Sequence, residues 1–128
     1  MIIREFLELD ETVQRAICTA SAQQLDDERF INARILIDNK LDVVLAFIVA
    51  TEKLLNAGFR HYGARGIGEH LRFQTALRDR HDVTFKLNNN DWPVLGRLCL
   101  ALFPEQLCSG DKPFFECRDR YGNTDEVA

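Results

Sequence analysis

Residues 83–103 read VTFKLNNNDWPVLGRLCLALF, and the fold class turns on them. Val83 to Leu87 alternates apolar and polar side chains, which predicts a short strand. Asn88, Asn89, Asn90 and Asp91 then make a turn that runs into a helix cap. Asn tolerates left-handed backbone, and Asn and Asp side chains accept hydrogen bonds from first-turn N–H groups. Pro93 falls in the first helical turn, where a missing N–H costs nothing. Leu95, Leu98, Cys99 and Leu102 recur at spacings of 3 and 4, predicting a helix to Phe103 with that stripe inward. Pro104 stops it. Farther on, Phe114 to Arg118 predicts a second short strand.

Upstream, Val43 to Ala57 is apolar nearly all round and predicts a helix that is central or covered by a second chain. Asp42 stands at its start, and Gly58 sits where a left-handed cap belongs. Ala64 to Leu77 predicts another helix, with Ile67, His70, Leu71, Phe73, Gln74 and Leu77 to one side. Gly66 and Gly68 inside it cost roughly 1 kcal/mol each against Ala, which suggests a close approach by another backbone. The N-terminal stretch to Gln24 is helical, with a possible second start at Asp10. Asp26 and Asp27 mark a break. Residues 29–37 fit a strand through Ile31, Ala33, Ile35 and Ile37, and a helix through Phe30, Ala33 and Ile37.

The expected fold is therefore α+β and mostly helical. A winged-helix-like core with two short strands occupies residues 41–120. A helical extension with room for one strand precedes it over 1–40, and a frayed tail follows over 121–128. The chain has 128 residues, 46% of them hydrophobic, enough for one core without disulfide or metal staples. Seven glycines and three prolines exclude collagen-like and disordered classes.

The net charge of −4 hides an asymmetry. Residues 58–86 hold six basic and three acidic side chains and all three histidines, whereas the flanks carry −4 and −3. A basic middle suits a local anionic partner, while the acidic whole argues against non-specific coating of nucleic acid. The longest apolar run, Val43 to Ala50, is far short of the roughly 20 residues of a membrane span. Charge enters at Arg4, so no signal core is present. A cytoplasmic location is expected, with Cys18, Cys99, Cys108 and Cys117 as thiols.

Four blocks, HYGARGIGEHLRFQTALR at 61–78, FKLNNN at 85–90, the helix bearing Arg97, and PFFECR at 113–118, carry a resemblance. Together they resemble a family of small, mostly uncharacterised proteins of bacteriophages and prophages. That family pairs an H-[YF]-G-A stretch with an LRW-like segment, FK-[IL]-NNN, an ARL helix and FFETR. Here Phe73 replaces the Trp, Gly96 the Ala and Cys117 the Thr. The resemblance spans about residues 43–118 and implies a phage or prophage origin.

Two functions compete, both non-enzymatic. In the first, a phage-type regulatory protein binds DNA. Arg60, Arg65, Arg72 and Lys86 hold phosphates, and Asn88, Asn89, Asn90 and Arg97 approach bases. Against it, the helix from Asp91 carries Arg97 as its one basic residue, poor equipment for a major groove. In the second, the chain binds and inhibits a host protein, such as a defence or CRISPR component. Glu5, Glu8, Asp10, Glu11, Asp26, Asp27 and Glu28 would then mimic a phosphate backbone. Val44, Leu45, Val49 and Trp92 are candidate protein-interface residues, the first three for a homodimer. Trp92 with Phe103, Phe114 and Phe115 is otherwise core. No close Cys or His pair marks a metal site, no nucleophile elbow is present, and no cofactor is expected.

Overall fold

The computed structural model describes residues 1–78, 91–108, 110 and 112–117, with side chains outside 75–78. Among the described residues seven helices follow in order: α1 (Ile3–Leu7), α2 (Glu11–Ala22), α3 (Asp27–Asn39), α4 (Leu41–Asn56), α5 (Ala64–Arg78), α6 (Asp91–Leu102) and α7 (Pro104–Leu107). Helix α6 is the hub, packed against α2, α3, α4, α5 and α7. Its Trp92, Val94, Leu95, Gly96, Leu98, Cys99, Leu100 and Leu102 are all buried. A helix apolar on every side is stable only when surrounded, and here the rest of the chain surrounds it.

The helix starts follow from local chemistry. Asp10 accepts from the Val13 N–H and Asp26 from the Arg29 N–H, both at 2.9 Å, each satisfying a donor the helix cannot. Asp10 thus splits the N-terminal helical stretch in two. Helix α4 starts earlier than Asp42 implied. Lys40 is its cap residue without a side-chain cap, and Asp42 lies in the first turn. At its other end Gly58 has φ +96°. The Gly58 and Phe59 N–H groups donate to the Leu55 and Leu54 carbonyls at 3.0 Å each, a Schellman closure.

Residues 29–37 are helical. The strand-like alternation arises because two helix faces are apolar: Ala33 and Ile37 are buried with Leu36, while Ile31 and Ile35 are exposed.

The α+β, winged-helix-like expectation is overturned: no strand occurs among the described residues, which are all-helical with connecting segments. The strand expected at 83–87 lies outside the described residues. At Phe114 to Cys117 the chain is neither strand nor helix. Its backbone bonds run to a loop and to a helix end, not along a ladder: the Tyr62 N–H donates to the Phe114 carbonyl (3.0 Å), and the Phe114 N–H to the Leu107 carbonyl (2.7 Å). The physical reason is that Phe114 and Phe115 are both buried, with rings edge-to-face at 4.9 Å. Consecutive residues of a strand point to opposite faces, whereas here both enter one core.

Nor are residues 1–40 an extension. Ile3, Phe6, Cys18, Ala22, Ala33, Leu36 and Ile37 belong to the same core as Phe47, Trp92 and Phe115. Phe6 meets Phe103 edge-to-face at 5.5 Å. Helix α1 is fastened by the pairing of Arg4 with the buried Glu52 of α4. The Ile3 N–H adds a bond to Gln106 Oε1 (2.6 Å), and buried Gln14 Nε2 donates to the Phe6 carbonyl (3.1 Å).

The two glycines of α5 meet rings, not backbone. A Cβ on Gly68 would stand 2.1 Å from the Trp92 ring, and one on Gly66 3.1 Å from the ring of Tyr62. Only glycine lets Trp92 lie under α5 and stack against Phe47 (6.4 Å between centroids).

Candidate functional site

The Schellman turn at Gly58 throws the chain off α4 into residues 59–63, which lead into α5. This loop is held from afar. Besides the Tyr62 N–H bond to Phe114, His61 Nδ1 lies 3.2 Å from the Pro113 carbonyl. Within the loop, Phe59 and Tyr62 meet edge-to-face at 5.8 Å. The Tyr62 ring also lies over Gly66, in the first turn of α5. Helix α5 buries Ile67, Gly68 and Leu71 against the core and leaves Arg65, Glu69, His70, Arg72, Phe73 and Gln74 in solvent.

Arginine pairing singles this surface out. Elsewhere, on helices α1 to α3, the guanidinium groups have acceptors within the chain. Arg4 pairs with Glu52, Arg15 with Glu11 (3.2 Å) and the Ile37 and Asp38 carbonyls, Arg29 with Asp26, and Arg34 with Asp38 (3.5 Å). Arg60 and Arg65 are exposed and have no acceptor among the described residues. Arg72 is exposed and engaged.

The surface also holds aromatic rings that the core did not take. Phe59, Tyr62 and Phe73 are 48%, 37% and 62% exposed, and among the described residues no other aromatic side chain is exposed. Sequence reading placed Phe73 on the packed side, and the structure corrects this. Phe73 follows Ile67 by six positions, roughly 240° around a helix of about 3.6 residues per turn. That phase was the available signal.

The expected site residues are only partly brought together. Arg60, Arg65 and Arg72 belong to this surface. Lys86, Asn88, Asn89 and Asn90 lie outside the described residues. Arg97 faces elsewhere. It lines an open cleft of about 220 Å³ with Asp26, Arg29, Pro104 and Cys108, between the start of α3 and the end of α6. Asp26 is held below the usual carboxylate range there, first by the Arg29 N–H donating to it, then by the guanidinium groups of Arg29 and Arg97. Arg97 therefore does not join Arg60 and Arg65 in one contact. Of the candidate interface residues, Val44 and Trp92 are buried within the chain, because the α4 and α6 faces that carry them close on α5 and on each other; they offer no outside surface. Leu45 and Val49 are half-buried on α4.

The acidic residues of the N-terminal third are helix-start devices more than one patch. Glu5 accepts from the Ile2 N–H (3.3 Å), Asp10 and Asp26 cap, and Glu11, Asp27 and Glu28 stand in first turns, where they complement the helix macrodipole. Among the described residues no cluster of three or more His, Cys, Asp or Glu could hold a metal ion, and no helix is long and apolar enough to cross a membrane. Burial pushes the Cys18 thiol up to about 12, against a smaller pull from Arg15. Burial also raises Cys99, with Cys18 adding to it, and Cys108. None of these three thiols is the activated thiolate that nucleophilic chemistry needs.

No protein-family model, curated protein or solved structure matches the chain, which leaves the phage-family resemblance resting on its own residue blocks.

Proposed function

We propose that the chain is a non-enzymatic, phage-type regulatory protein of the cytoplasm that binds DNA through the surface formed by residues 59–74. The observation that carries this reading is the pair Arg60 and Arg65, exposed and without acceptors among the described residues, where the other arginines with described side chains are engaged. A guanidinium in water with no partner is free to take a phosphate oxygen without first breaking an ion pair. Arg72, itself engaged and two turns beyond Arg65 on the same side of α5, extends the row.

Neutralising phosphates releases counterions, so binding through this row weakens with salt. Fluorescence anisotropy of a labelled oligonucleotide at several salt concentrations tests it. The double substitution Arg60→Ala, Arg65→Ala is expected to weaken binding at least tenfold. It is also expected to flatten the log–log salt slope by roughly 2, near 0.9 per lost phosphate contact. Unchanged affinity and slope would overturn the reading.

A second reading, a module that binds a host protein, draws on a different surface. Ile31 and Ile35 of α3 stand one turn apart, 57% and 55% exposed, beside Asp27 and the Arg34–Asp38 pair. Loss of a co-purifying partner on Ile35→Lys, with oligonucleotide binding intact, would favour that reading.

A further inference from the structure

We infer that the nucleic acid taken by the 59–74 surface is single-stranded, with bases stacked on Phe59, Tyr62 and Phe73. This rests on the reading of that surface as nucleic-acid-binding and adds the form of its ligand. The exposed aromatic side chains of the described residues are confined to the segment that holds Arg60 and Arg65, exposed and without acceptors among the described residues. Rings on a water-facing surface lose the burial that normally places them inside. Beside these exposed guanidinium groups they make the pair of features that single strands use: cations for the backbone and flat apolar faces for bases.

A duplex fits the same surface poorly. Its base faces are stacked inside, so protruding rings would meet phosphates and sugars. Glu69 stands one turn beyond Arg65 on the outer side of α5 and is exposed. A helix laid along a duplex backbone would press that carboxylate toward phosphates. Helix α6 is buried and cannot enter a groove. A flexible strand has none of these constraints. It can lay phosphates on Arg60 and Arg65 and turn bases toward the Phe59–Tyr62 pair and toward Phe73.

The test is anisotropy with the full chain, a labelled mixed-sequence 20-mer, and the same 20-mer annealed to its complement, at one salt concentration. The single strand is expected to bind at least tenfold tighter than the duplex. Phe73→Ala, at the most exposed ring, is expected to weaken single-strand binding about five- to tenfold or more, since one stacked base is worth roughly 1–3 kcal/mol. Phe73→Leu is expected to weaken it similarly, because an apolar side chain without a flat face cannot stack. Equal or tighter duplex binding, or full single-strand affinity in Phe73→Ala, would overturn the single-strand assignment and leave the DNA reading standing. Binding to neither form would overturn both and turn attention to a protein partner. Melting followed by circular dichroism shows that Phe73→Ala is folded, and the strand-versus-duplex comparison needs no variant.

Discussion

Helix α6 and the segment 59–74 touch each other and have opposite characters. In α6 the apolar side chains have found partners in the surrounding helices, and its one cation lines the same cleft as Asp26. In segment 59–74 three rings stand in water and two arginines lack acceptors among the described residues. Stability resides in the first, and the second is the surface proposed to bind. They meet where Gly68 packs on Trp92 and where Ala64 packs on Gly96.

The contrast breaks most severely at Trp92. Trp92→Ala removes the largest buried side chain, and the expected loss is about 3–5 kcal/mol, a large share of what a domain this size has. Urea unfolding measures it, and a loss below about 1 kcal/mol would mean that the ring is not the keystone of the α5–α6 contact. Gly68→Ala attacks the same contact from the other side. One added methyl, 2.1 Å from the ring, should cost roughly 1–3 kcal/mol by overpacking. In a Trp92→Leu background that cost should shrink, since neighbours in contact are not additive; equal costs in both backgrounds would refute the clash.

Arg4 is the next lever. Arg4→Ala leaves the Glu52 carboxylate buried without its partner, and roughly 1–3 kcal/mol should be lost. Glu52→Gln in that background should restore part of the loss in thermal melts.

Alkaline titration sharpens the comparison further. Cys18 and Cys99 are buried on α2 and α6. In the unfolded chain a thiol ionises near its ordinary value of 9.0, but Cys18 holds its proton to about 12. Between these values the unfolded state has released a proton that the folded state keeps. Stability should therefore fall as pH rises through that window, by about 1 kcal/mol per unit for each thiol. Cys18→Ala should flatten the fall, and a slope unchanged by that substitution would show that other groups cause it. The smallest effects belong to the exposed segment. Arg60→Ala, Arg65→Ala and Phe73→Ala should each move stability by no more than about 0.5 kcal/mol, whatever they do to binding.

Legibility in the sequence followed the same division. The caps at Asp10 and Asp26, the left-handed Gly58 and the inward stripe of α6 were all readable, because each depends on residues within a turn or two. The class of the fold was not. Phe114 to Cys117 has the composition of a strand, and what makes it something else is the loop and the helix end that take its backbone bonds. Residues 29–37 resisted a decision because Ile31 and Ile35 spend apolar side chains on the outside. Of the candidate site, Arg60, Arg65 and Arg72 were legible as a basic stretch, but pairing was not. Nothing local distinguishes Arg65 from Arg97, which shares a cleft with an aspartate 71 positions earlier in the chain. Gly68 announced a close neighbour, though not that the neighbour was Trp92.

The hydrogen bond from Tyr62 to Phe114 sets an order of events during synthesis. A ribosome delivers residues 59–63 long before residues 113–115. Until the later segment clears the exit tunnel, the loop has neither the Phe114 carbonyl nor the Pro113 carbonyl to hold it, and Phe47 and Gly96 lack the ring of Phe115. A nascent chain stalled before residue 113 therefore carries the loop of residues 59–63 without the contacts that hold it, and acquires them only when Pro113 and Phe114 pack beside it.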